Sequence, residues 1–119
     1  MLFAHPQLAP APWRAGQYRL ARQPGFLEAA LAALRAQLDL GGQREVLLDR
    51  LPQLKMPALV VWGARDRVYP PSQAQDAVSR MPKGSLTLIP DCGHMPHVEC
   101  PVRFVAALEE FFAGRSSPL

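Results

Sequence analysis

Long apolar runs are missing from this 119-residue chain, and nothing in it approaches the ~18 residues that cross a bilayer. Its start, Met1-Leu-Phe-Ala, has no basic flank and reaches Pro6 before the apolar stretch of a secretory signal can form. Cysteine is scarce too. Only Cys92 and Cys100 occur, far below the density of a secreted disulfide scaffold, so a reducing compartment is the default expectation. A soluble, cytoplasmic chain with no membrane partner follows. Runs of one charge are also absent: the 13 basic residues, with a net charge of +3, lie scattered from Arg14 to Arg115. That scatter offers no footprint for nucleic acid. What remains is 49% apolar and 19% charged, a globular composition that excludes a wholly disordered tail. The length fits one domain.

Prolines at 6, 10, 12 and 24, with Trp13 and Tyr18 among them, predict an extended or irregular lead-in. From Phe26 to Leu40 the rhythm changes: Leu27, Leu31, Leu34 and Leu38 form one helical stripe, with Gly41-Gly42 as its stop. A shorter helix is expected from about Gln43 to Leu51, with Val46, Leu47 and Leu51 inward, ending at Pro52. The apolar run Ala58-Leu-Val-Val-Trp-Gly reads as a buried strand. Ser72 is a candidate N-cap for a helix whose inward face is Ala74, Ala77, Val78 and Met81, and Leu86 to Ile89 makes a second strand. Pro101 starts a last helix with Phe104, Val105, Leu108, Phe111 and Phe112 as its apolar face, ended by Gly114. The fold class is therefore α/β, a βαβα unit with parallel strands over residues 51–119. Residues 1–50 form a Pro-rich and helical segment before it.

A two-stranded parallel sheet is marginal in water, because parallel strands are normally covered on both faces. Nothing upstream of residue 58 has comparable strand character. The expectation is a fragment, or a protomer whose sheet is completed by a partner chain or a missing N-terminal half.

A βαβ unit places the loops after its two strands on one edge of the sheet, where α/β proteins put their ligands. The first loop, Gly63-Ala-Arg-Asp-Arg-Val-Tyr-Pro, carries Asp66. The second, Pro90-Asp-Cys-Gly-His-Met-Pro-His-Val-Glu-Cys-Pro, carries His94 beside a glycine that permits a sharp turn. Adjacent strands lie ~4.8 Å apart, so the two side chains can meet. A carboxylate bonded to one imidazole nitrogen fixes the tautomer and stabilises the imidazolium formed when the other nitrogen takes a proton. The plainer alternative is that Asp66 caps a turn and His94 is a satisfied loop histidine.

Taken together, Pro57-Ala-Leu-Val-Val-Trp-Gly-Ala-Arg-Asp-Arg-Val-Tyr-Pro and Leu88-Ile-Pro-Asp-Cys-Gly-His-Met-Pro-His-Val-Glu-Cys-Pro resemble the C-terminal part of α/β-hydrolase fold enzymes. The match runs over residues 51–113, and residues 24–50 look, more loosely, like the last helices of the cap such enzymes carry. The resemblance implies Asp66 as the triad acid and His94 as the general base, acting on a small-molecule substrate with no metal or organic cofactor. The chain departs from the family at the nucleophile, which belongs on a Gly-x-Ser-x-Gly elbow before the acid. Its five serines, Ser72, Ser79, Ser85, Ser116 and Ser117, all follow Asp66 and none has that flanking. The isolated chain is thus expected to lack esterase activity. Substrates of relatives range over esters, carbon–carbon bonds of dienoic ketoacids, epoxides and haloalkanes.

Other readings compete. Cys92, His94, His97 and Cys100 form a Cys-x-His-x-x-His-x-x-Cys run that could hold zinc, although the cysteines are otherwise small core fillers. A non-catalytic remnant that only pairs with a missing half is the other alternative. Trp62 and Tyr69 could line a pocket but suit strand-end packing better. Arg65 and Arg67 read as solvated neighbours of Asp66, His97 as bonding nearby backbone, and Glu99 as a cap for the last helix.

Overall fold

Prolines 10 and 12 open a helix rather than exclude one. The computed structural model describes residues 2–39, 42–43 and 47–114. It falls into two compact units, residues 10–47 and residues 1–9 with 48–119. In the first unit, α1 (Ala11–Ala21) has Pro10 in extended geometry as its N-cap and a proline in its opening turn, where the missing N–H costs no helical bond. The expected irregular lead-in is corrected accordingly. Helix α2 (Phe26–Gln37) starts after Gly25, whose φ of 80° is left-handed and suits a residue without Cβ. It stops earlier than the leucine stripe predicts: Leu38 turns extended, and β1 (Leu38–Asp39) pairs antiparallel with β2 (Gly42–Gln43). Leu40 and Gly41 lie outside the described residues. The stripe Leu27, Leu31, Leu34 and Leu38 remains exposed.

The expected helix over 43–51 is replaced by a 3-10 helix, Leu47–Gln53, with Pro52 inside it. Pro52, which has no N–H to donate, lies one residue before the end of this helix. Leu47 is exposed rather than inward, and Val46 lies outside the described residues.

The second unit is built on β3 (Ala58–Gly63), α3 (Pro71–Ser79) and β4 (Gly84–Ile89), with the strands parallel and in register from Ala58 opposite Gly84 to Gly63 opposite Ile89. This is the predicted βαβ unit, and the α/β fold class holds. Helix α3 packs on both strands through buried Ala74 and Val78. Its N-cap is Pro70, not Ser72, and no side chain caps it. A single-turn helix, α4 (Pro96–Glu99), which the sequence reading does not anticipate, precedes α5 (Pro101–Phe112). Helix α5 also packs on the strands and buries Ala107, while Val105 and Phe112 of its predicted apolar face stay exposed. From Ala58 to Trp62 the strand is only half-buried, and β3 and β4 pair only with each other among the described residues. A parallel sheet this small leaves apolar strand surface uncovered.

Candidate active site

Parallel pairing carries both loops to the carboxyl edge of the sheet, and their backbones then interlock. The ladder continues past the strands: Ala64 N–H donates to Ile89 O at 3.0 Å and Arg65 N–H to Cys92 O at 2.8 Å. Gly63 is what allows this crossing, because a Cβ there would collide with the carbonyl oxygens of Cys92 and Gly93. Gly93 serves the same purpose: a Cβ on it would meet Ala4 N, and would lie 2.8 Å from Phe3 C and 2.9 Å from a Glu99 carboxylate oxygen. The sharp turn expected at Gly93 sits elsewhere. The left-handed residue of this loop is Asp91, with φ of 58°, a conformation aspartate tolerates better than most side chains.

Asp66 and His94 meet. His94 Nδ1 lies 2.8 Å from Asp66 Oδ2, and the Asp66 side chain is 3% exposed against 29% for His94. The other carboxylate oxygen, Oδ1, accepts from Val68 N–H at 2.8 Å and Tyr69 N–H at 3.1 Å, so the loop's own backbone orients the acid. Burial alone raises the Asp66 pKa. The hydrogen bonds from His94, Tyr69 and Val68, with the attraction of the imidazole, outweigh it and hold the carboxyl below its ordinary range. An ionised carboxylate only accepts hydrogen bonds, so Nδ1 is the donor in this contact, and in the neutral imidazole the lone pair then lies on Nε2. That is the state of a base ready to take a proton.

Around the pair lies a hollow of about 230 Å³ lined by Val61, Trp62, Pro96, His97 and Phe104. Trp62 Nε1 donates to Tyr69 O at 3.3 Å, and the Tyr69 ring sits 5.5 Å from that of His94. Both aromatics therefore brace the acid loop and border the pair. A larger hollow, about 480 Å³ and lined by Pro57, Pro82, Gly84 and Phe111 among others, lies at the opposite end of the strands and touches neither Asp66 nor His94.

The model of the alpha/beta hydrolase family matches residues 1–108. The chain belongs to the α/β-hydrolase family. An uncharacterized protein of Mycobacterium tuberculosis is 35% identical over 79 residues, 66% of this chain and 23% of its own length. The pimeloyl-(acyl-carrier protein) methyl ester esterase of Nitrosomonas europaea is 30% identical over 86 residues, 72% of this chain and 31% of its own. A serine hydrolase involved in carbazole degradation superimposes with a TM-score of 0.77 at 24% identity, over 89% of this chain and 41% of that one. This last likeness is one of fold alone. The α/β-hydrolase chain described here spans about a quarter to a third of the length of these curated relatives.

Several sequence-based assignments change in the structure of this hydrolase-family chain. Cys92 and Cys100 are paired as a disulfide, with Cα atoms 6.4 Å apart, so their sulfurs face each other rather than a metal. His94 Nδ1 is taken by Asp66, and the His97 ring lies edge-on to Phe104, 6.0 Å between centroids. The four residues of the zinc alternative do not converge. Arg65 is solvent-exposed beside Asp66, as expected, and pairs with Asp91 at 2.9 Å. Glu99 does not cap α5; its carboxylate accepts from Gly93, Ala4 and His5 N–H groups. The sequence carried no signal for this, because those donors are backbone groups and two of them lie more than 90 positions away.

Two of the described serines are bonded to backbone carbonyls. Ser79 Oγ donates to Asp76 O, and Ser85, near the start of β4, donates to Ala58 O at the far end of the sheet. Ser116 and Ser117 lie outside the described residues.

Proposed function

We propose that these residues supply the acid–base half of a hydrolase active site, with Asp66 as the acid and His94 as the general base. The observation that carries the reading is the 2.8 Å contact between Nδ1 of His94 and a side chain almost wholly removed from solvent. In the proposed reaction, His94 Nε2 takes the proton of an attacking hydroxyl, and Asp66 stabilises the imidazolium while fixing its orientation. His94 then returns the proton to the leaving group. The nucleophile is supplied by polypeptide other than these 119 residues, a reading supported by the absence of a Gly-x-Ser-x-Gly sequence and by the small share of its relatives' length that the chain covers. The same polypeptide completes the sheet, whose half-buried strands favour an added neighbour. A small-molecule ester is the proposed substrate class, on the strength of the methyl ester esterase relative.

The test is turnover of p-nitrophenyl butyrate by the purified 119 residues and their His94→Ala variant. Equal background rates are expected from both. A rate that depends on His94 without any added polypeptide would overturn the assignment of the nucleophile elsewhere. A cytoplasmic setting, the expectation from the scarcity of cysteine, would keep Cys92 and Cys100 as thiols and so stands against their pairing in the structure. Alkylating the chain at the moment of cell lysis and weighing it by mass spectrometry decides that point: two adducts support the cytoplasmic setting, none opposes it.

A further inference from the structure

Glu99 ends α4 and is 7% exposed. A carboxylate so far from water needs compensation, yet among the described residues no cation pairs with it. Three backbone N–H groups supply it instead: Gly93 at 2.7 Å and Ala4 at 3.2 Å share Oε2, and His5 at 2.7 Å takes Oε1. The placement of these donors is specific. Gly93 immediately precedes His94, and the His94 N–H donates in turn to Leu2 O at 2.9 Å. Residues 93 and 94 are therefore held between the Leu2–His5 segment and the Glu99 carboxylate. The Cys92–Cys100 disulfide closes the same loop one position outside the Gly93–Glu99 bond on each side.

We infer that Glu99 is the positioning residue of His94: its carboxylate fixes the loop backbone so that the imidazole reaches Asp66. The inference rests on the acid–base pair proposed above and adds to it a group that touches neither the substrate nor the imidazole. Both carboxylate oxygens are needed. In Glu99→Gln the side chain keeps its size, but one oxygen becomes an amide that presents hydrogens to an N–H donor. One of the three bonds turns repulsive, and the loop must shift to relieve it.

The experiment is ¹⁵N NMR of the imidazole nitrogens in the full 119-residue chain, with the imidazoles neutral. Wild type is expected to carry the His94 proton on Nδ1. In Glu99→Gln the ratio of Nδ1–H to Nε2–H forms should fall roughly tenfold or more, the factor that goes with losing a charge-assisted hydrogen bond, while the Trp62 indole and the amides of β3 and β4 stay in place. A folded variant with the wild-type ratio overturns the inference and leaves the acid–base pair standing. A wild type without the Nδ1–H preference overturns both. Should the Gln variant fail to fold, amide exchange in wild type decides: protection of Ala4, His5 and Gly93 together supports the clamp, and free exchange at Ala4 and His5 beside an intact Nδ1–H refutes it.

Discussion

Replacing Asp66 by asparagine separates what the acid does for the fold from what it does for the proton. The substituted side chain keeps one carbonyl oxygen, which can still accept from Val68 and Tyr69 N–H as Oδ1 does now. Its amide group then occupies the place of Oδ2, 2.8 Å from His94 Nδ1. An amide donates there, so Nδ1 must become the acceptor and the imidazole proton moves to Nε2. A charge-assisted bond of ~1.5–3 kcal/mol is exchanged for a neutral one of ~0.5–1.5 kcal/mol, so the stability loss should be about 1 kcal/mol. The chemical loss should be much larger. A base whose free nitrogen carries the proton cannot accept one, and the same substitution in the serine protease triad costs about 10,000-fold in turnover. Two assays check this. Urea unfolding followed by tryptophan fluorescence should show a small shift in midpoint at unchanged slope. Imidazole ¹⁵N shifts should show His94 passing from the Nδ1–H to the Nε2–H form. If Asp66→Asn retains the Nδ1–H form, the contact does not control the tautomer and the argument from geometry to acid–base chemistry fails.

Three further outcomes are expected. Because the folded-state pKa of Asp66 is depressed, the unfolded chain binds this proton more readily. Its contribution is thus full above the unfolded carboxylate pKa of ~3.9 and is lost as pH falls through the lower folded value; urea midpoints for wild type and Asp66→Asn measured from neutral to acid pH should converge at the acid end, and parallel curves would contradict the shift. Gly63→Ala should destabilise by about 3 kcal/mol, the upper range for an overpacked site, because its Cβ meets the Cys92 and Gly93 carbonyls, which are backbone and cannot swing away; a melting temperature equal to that of wild type would refute the crossing. Reducing the Cys92–Cys100 bond, which closes a loop over a separation of 8 positions, should lower stability by ~2.5 kcal/mol on the chain-entropy account, read as a difference in urea midpoint with and without reductant.

The sequence alone determined the elements that local chemistry controls. The run of β-branched and aromatic residues in Ala58–Gly63, the helical spacing of Ala74 and Val78, and the proline that opens α5 each state their own structure within a few neighbours. The two loops with Asp66 and His94 were legible for the same reason, since a βαβ unit has one handed connection and one functional edge. Local reading failed where a signal has two meanings: Pro10 and Pro12 read as breakers but sit where a helix begins, and the leucine stripe ran past the point at which Leu38 leaves the helix for a strand pair. What only the tertiary structure decided are contacts between positions far apart in the chain. Glu99 gathers two of its three backbone donors from Ala4 and His5, more than 90 positions away, and Gly63 is required by a carbonyl 30 positions later. Backbone donors and close approaches carry no residue signature, so their partners emerge only once the chain has closed on itself.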